Sequence, residues 1–136
     1  MPATLPTELI VLTWGCILAF VHILVTIQAK TRQYGGKWNV GARDEELPPL
    51  NPVAGRLERA QANFFETFPI FIAAVILALT LGSTDGTRFG AWLWLGGRVA
   101  YLPLYALGVP LVRSLAWLVS VAGLVMVLMP ALKALF

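Results

Sequence analysis

The chain has 136 residues, 58% of them hydrophobic and 12% charged, with a formal net charge of +3. Soluble domains are about half apolar and a quarter charged, so this composition excludes an ordinary water-soluble protein, and the length leaves room for a single domain, 1–136. The one cysteine, Cys16, excludes an intrachain disulfide framework.

The first predicted helix covers residues 9–29, an uncharged apolar run. About 20 residues at ~1.5 Å each cross a ~30 Å hydrocarbon core, so the run can span. No basic residue precedes it and no clear cleavage site follows, which favours a retained helix over a signal peptide. Pro6, Thr7 and Glu8 suit a helix start. Within the run, Cys16 reads as a small buried thiol and His22 as a hydrogen-bonded packing residue. With no partner histidines or cysteines, no metal site is expected.

Residues 31–55 form a polar segment with Gly35-Gly36, Gly41, Asp44-Glu45-Glu46, Pro48-Pro49 and Pro52. These breakers predict a loop outside the hydrocarbon. The second helix is expected over 56–81. Its apolar part, 70–81, is too short to span alone, so the span includes Asn63 and Glu66, with a tolerated kink at Pro69. The short turn at 82–86 makes the second and third helices antiparallel neighbours. The third covers 88–107 and the fourth 111–132, separated by Gly108-Val109-Pro110. Trp92, Trp94, Trp117 and Phe136 suit either interface anchoring or packing. The expectation is therefore an all-α membrane bundle of four helices. Lys30, Arg32, Lys37, Arg43, Arg56, Arg59 and Arg113 flank the span ends on one side, against Arg88 and Lys133 on the other. That bias puts the 31–55 loop in the cytoplasm and both termini outside it.

Arg56, Arg59, Asn63 and Glu66 follow one another at intervals of 3, 4 and 3, so they share one helix face. Ionisable groups at membrane depth are costly and normally face a bundle interior or a wet cavity. The stripe is therefore a ligand site or a polar assembly seam; the spacing does not choose between them. Arg98, Tyr101 and Tyr105 make a second stripe, which reads as a site wall or as interface-belt residues. Arg113-Ser114 opens the fourth helix at the same end. A basic cluster of this kind needs an anion, either a ligand or Glu66 and the loop carboxylates. No phosphate-binding loop, nucleophile elbow or nucleic-acid module is present.

The run Arg56-Leu-Glu-Arg59-Ala-Gln-Ala-Asn63-Phe-Phe-Glu66-Thr-Phe-Pro69 resembles the second-helix signature R-x-x-R-A-x-x-N-x-x-E of the MAPEG family, the membrane-associated proteins of eicosanoid and glutathione metabolism. Arg98 through Tyr101, Tyr105, Pro110 and Arg113-Ser114 give a looser second match. The resemblance implies a homotrimer with glutathione bound between protomers near the cytoplasmic side. It implies that Arg59, Asn63 and Glu66 contact glutathione and that Gln61 is a neighbouring contact. Tyr101 and Tyr105 would line the same cleft, a basic contact would fall on Lys30 or Arg32, and Arg113 would stabilise the thiolate. Thr67 departs from the tyrosine of the leukotriene-synthase branch, and the interval from Tyr105 to Arg113 differs by one residue. The loop around Gly41-Ala-Arg43-Asp44-Glu45 is similar to that of a bacterial branch, which implies a bacterial inner membrane.

The expected activity is conjugation of glutathione, the co-substrate, to a hydrophobic electrophile or lipid arriving from the bilayer, with reduction of lipid hydroperoxides as a further activity. Arg59, Arg98 and a basic group of the first loop would pair its carboxylates. Two other readings stand beside it. One is a small multidrug-type transporter that uses Glu66 as its proton-coupled carboxylate. The other is a non-catalytic assembly protein whose stripe only packs helices.

Overall fold

The computed structural model describes residues 4–136. Among these are five helices and no strand: α1 (Thr7–Tyr34), α2 (Gly36–Val40), α3 (Pro52–Leu81), α4 (Asp85–Ala106) and α5 (Pro110–Lys133). α1, α3 and α5 are long and apolar enough to cross a membrane. α4 has 22 residues, enough length, but Asp85, Arg88, Arg98 and its glycines make it less apolar than the others.

Local chemistry sets the helix ends. α1 does not stop at Ala29 but continues to Tyr34; Lys30 in this extension is ion-paired with Glu58 of α3. α3 begins at Pro52, ahead of Arg56, because the Asn51 side chain accepts the Ala54 N–H at 2.9 Å and Pro52 occupies the first turn, where a missing N–H costs nothing. The segment between is not wholly loop, since α2 lies in it. The rest is pinned to α1: Tyr34 donates its hydroxyl to the Pro48 carbonyl at 2.6 Å, and the Gln33 amide donates to the Pro49 carbonyl and accepts from the Asn51 N–H. α3 runs unbroken through Pro69. Thr84 and Thr87 form a reciprocal capping box that starts α4 at Asp85.

α3 and α4 occupy the middle of the arrangement. α1 packs on both, α5 packs on both, and α1 and α5 do not meet among the described residues. An aromatic cluster fills the centre. The Trp94 ring lies parallel to Phe71 with centroids 3.8 Å apart, and Phe64 and Phe68 close around it. Trp94 is thus a core residue, whereas Trp92 faces outward. His22 is fully buried and stacked on Phe64 at 4.7 Å. It packs, but it is not hydrogen-bonded as the sequence reading expected: neither ring nitrogen has a partner among the described residues. Cys16, expected to be buried, is exposed on the outer face of α1. The core-facing positions of that helix are Val11, Gly15, Leu18, Ala19 and His22, and Cys16 falls between them.

The opposite end is closed by Glu8. Its fully buried carboxylate accepts hydrogen bonds from Ser83 and Thr87 at 2.6 Å each, which fastens the start of α1 to the α3–α4 turn. α4 and α5 share the most extensive contact, made possible by small residues. A Cβ on Gly97 would lie 2.7 Å from the Ala116 carbonyl oxygen, and one on Gly123 would lie 2.5 Å from the Gly90 carbonyl oxygen. Close backbone approach of this kind supplies van der Waals contact where lipid offers no hydrophobic drive.

Gly97→Ala should therefore lower the thermal unfolding midpoint in detergent, at a cost on the order of 1–3 kcal/mol from overpacking. Gly96→Ala, whose added carbon meets nothing within 4 Å, should leave the midpoint unchanged or raise it. Equal losses in both variants would remove the packing argument.

Candidate functional site

The two polar stripes read from the sequence meet between α3 and α4, at the end of the molecule that also holds Lys30 and the α4–α5 turn. Arg98 sits at the bottom, with 1% of its surface accessible. Its guanidinium donates to the Asn63 side-chain oxygen at 2.7 Å and to the Thr67 hydroxyl. Thr67 in turn donates to the Phe64 carbonyl of its own helix at 3.3 Å. The guanidinium also lies over the Phe64 and Tyr101 rings, at 6.0 and 5.4 Å. Every one of these partners is neutral.

Tyr101 is buried and meets Tyr105 edge to face, one helical turn on, at 5.4 Å. Tyr105 is flanked by two arginines from other helices. Arg59 of α3 donates to its hydroxyl at 3.3 Å, and Arg113 of α5 lies 4.5 Å from its ring centre. The fourth arginine, Arg56, is half-buried and reaches the Ala106 carbonyl at the end of α4, at 3.4 Å. The α4–α5 turn makes room for it. Gly108 has φ +73, and a Cβ there would fall 2.8 Å from the Arg56 guanidinium carbon.

Asn63, Tyr101, Tyr105, Arg113, Ser114 and Trp117 line an open cleft of about 200 Å³ between α3, α4 and α5. No carboxylate lines it. Among the described residues the ion pairs are Lys30–Glu58 and Arg88–Asp85, so Arg56, Arg59, Arg98 and Arg113 have no acidic partner within ion-pair distance. Glu66 and the loop acids Asp44, Glu45 and Glu46 are exposed and do not supply one. An arginine cluster held only by neutral acceptors and aromatic faces is suited to a bound anion, which arginine forks grip in bidentate fashion.

The remaining predicted residues lie elsewhere on the chain. Arg59 and Glu66 are exposed, so the α3 stripe runs along the margin between cleft and outer face. Gln61 and Lys30 border a separate groove of about 260 Å³ between α1 and α3, with Glu58, Ala62 and Phe65. Arg32 lines a third depression with Ala29, Asn51, Pro52 and Val53. Since α1 and α5 lie on opposite sides of α3 and α4, one chain does not bring Lys30, Arg32 or Gln61 to Arg113. Two residues of the site were not assigned to it from sequence, Trp117 having been read as an interface anchor or packing residue. Thr67 was noted only as a departure from a motif, yet it holds Arg98. Trp117 follows Ser114 at a helical interval and could have been placed on the same face.

The model of the MAPEG family matches residues 11–132. No curated protein matches the chain. The family match covers nearly all of the chain, which belongs to the MAPEG family; with its three apolar helices it is an integral membrane protein.

Thr67→Val removes an acceptor from a buried guanidinium while conserving volume. It should destabilise the protein by about 1–3 kcal/mol, read as a lower unfolding midpoint in detergent, whereas Thr67→Ser should retain most of the stability. An unchanged midpoint in Thr67→Val would show that Arg98 does not depend on this bond.

Proposed function

We propose that this member of the MAPEG family is a membrane glutathione transferase that works as a homotrimer of four-helix protomers, joining the glutathione thiolate to a hydrophobic electrophile. The observation that carries the reading is the cleft lined by Arg113 and the two tyrosines with no carboxylate on its wall. Glutathione brings two carboxylates, an ammonium and a thiol. Arg59, exposed at the margin of the cleft, is suited to its carboxylates, while Arg98, buried with its bonds on Asn63 and Thr67, adds its charge from beneath. Glu66, exposed beside them, is suited to its ammonium. Arg113 stands over Tyr105 at the mouth of the cleft. A cation there favours thiolate over thiol, whose free pKa is about 8.5.

The reaction asks little else of the protein. The thiol proton leaves to solvent and the sulfur lone pair forms a bond to the electrophilic carbon. The displaced group departs with its electron pair, or, in an addition, the carbon skeleton takes up a proton. The electrophile reaches the cleft laterally, since the exposed flanks of α3 and α5 are apolar.

The size of the cleft argues for the assembly. Sites that enclose a small molecule measure about 300–1,000 Å³, and the cleft of one chain is about 200 Å³. The groove carrying Lys30 and Gln61 lies on the opposite side of the same chain. If copies associate around an axis, the groove of one meets the cleft of the next and one site forms at each contact. The exposed Glu66 and Arg59 are then covered. In this arrangement α4 crosses the bilayer with the other three long helices, the α1–α3 loop faces the cytoplasm and both termini lie outside, in a bacterial inner membrane. A cationic wall disfavours the export of cationic drugs, which weighs against the transporter reading.

Two measurements test the proposal. In detergent-purified protein, Arg113→Ala should lower kcat for conjugation to a hydrophobic aryl halide on the order of a hundredfold, the scale of losing one group that stabilises developing negative charge. Unaltered turnover in Arg113→Ala, or no glutathione-dependent turnover in the wild-type protein, would refute it. When Lys30→Ala and Arg113→Ala chains are co-assembled, activity should rise above that of either parent, because some contacts then carry both native residues. Mixing without gain would contradict a shared site.

A further inference from the structure

A second cavity lies at the far end of the molecule, remote from the arginine cluster. It measures about 550 Å³ and is lined by Leu81, Gly82, Thr84, Gly86, Met126, Met129, Pro130 and Lys133. We infer that it binds a single long-chain fatty acid, with the carboxylate at Lys133 and the acyl chain against Leu81, Met126 and Met129.

The walls and the rim differ in chemistry. Leu81, Met126, Met129 and Pro130 give an apolar surface at the ends of α3 and α5, both helices of membrane-crossing length. Methionine side chains are flexible and polarisable and adapt to a flexible guest. Lys133 is the only charged side chain on the lining and makes no ion pair among the described residues. Asp85, at the start of α4, is paired with Arg88 at 3.0 Å. Glu8, the other acid at this end, is buried beneath Ser83 and Thr87. Gly86, whose N–H in the first turn of α4 has no backbone acceptor among the described residues, also lines the cavity. The single ammonium on an otherwise uncharged lining suits one carboxylate.

The volume falls within the ~300–1,000 Å³ of small-molecule sites. It accommodates one acyl chain, not the two of a phospholipid. A long lysine at a helix end holds its ammonium at the level of lipid headgroups while its stem covers apolar surface. A fatty acid lying in the bilayer therefore meets the cavity in the orientation that the lining favours. The cleft near Arg113 plays no part in this site, so the two proposals stand or fall separately.

Native mass spectrometry of the detergent-purified full chain, titrated with palmitate, tests the inference. One palmitate per chain is expected, with palmitamide, which lacks the charge, binding about tenfold more weakly. Lys133→Gln should bring palmitate down to the level of palmitamide. Met129→Trp, which fills the cavity from a partly exposed position, should abolish the adduct, and unchanged unfolding midpoints would show that both variants remain folded. The inference is overturned if palmitate and palmitamide bind alike, or if Met129→Trp leaves the adduct intact. It is equally overturned if lysophosphatidylglycerol displaces palmitate at lower concentration, or if adducts form only on dissociated monomers, because the space then belongs to another ligand or to a second copy.

Discussion

The structure turns on a buried guanidinium that no carboxylate among the described residues contacts. Arg98 has almost no accessible surface, and its bonds go to an amide oxygen and a hydroxyl rather than to a carboxylate. Burying a cation is costly unless it is paired or hydrogen-bonded. Here α3 supplies the neutral acceptors, and the Phe64 and Tyr101 rings supply their negative faces. This leaves the guanidinium without a contacting carboxylate, Glu66 acting on it only across a distance. Arg59 and Arg113 extend the positive charge along Tyr105 to the mouth of the cleft. The aromatic cluster around Trp94 and the close α4–α5 contact hold the helices in the register that keeps these groups together.

The helix order imposes the second constraint. With α3 and α4 in the middle and α1 and α5 on either side, the basic groups that end α1 cannot reach the basic group that begins α5. The residues that the family signature draws attention to are thereby divided between two faces of one chain. Under the proposed assembly that division is what builds a site, since each contact between copies joins a cleft to a groove.

Much of this was legible in the sequence, and the exceptions have physical causes. Intervals of three and four residues put Asn63 on one face of its helix and Arg98, Tyr101 and Tyr105 on one face of theirs, because helical periodicity is insensitive to tertiary detail; that the two faces meet was implied only by the family resemblance. The same periodicity could not say that Arg59 and Glu66 lie on the exposed margin of that face; that depends on how α3 is rotated against α4. The 31–55 segment looked like a loop throughout, since its glycines and prolines outweigh the local bonds that extend α1 to Tyr34 and form α2. Cys16 was misplaced for a related reason. In an apolar run that faces lipid on one side, hydrophobicity does not distinguish the outer face from the core. Thr67 was judged against a motif rather than by its chemistry, so its hydroxyl was not recognised as the support of Arg98.

The central claim is that a cationic cleft with no carboxylate on its wall takes up an anionic thiol and holds it as thiolate. Calorimetric titration of glutathione into the detergent-purified protein, repeated in buffers of different ionisation enthalpy, tests this directly. The account predicts saturable binding accompanied by release of a proton as the thiol ionises. Absence of binding, or binding with no proton released, would contradict it.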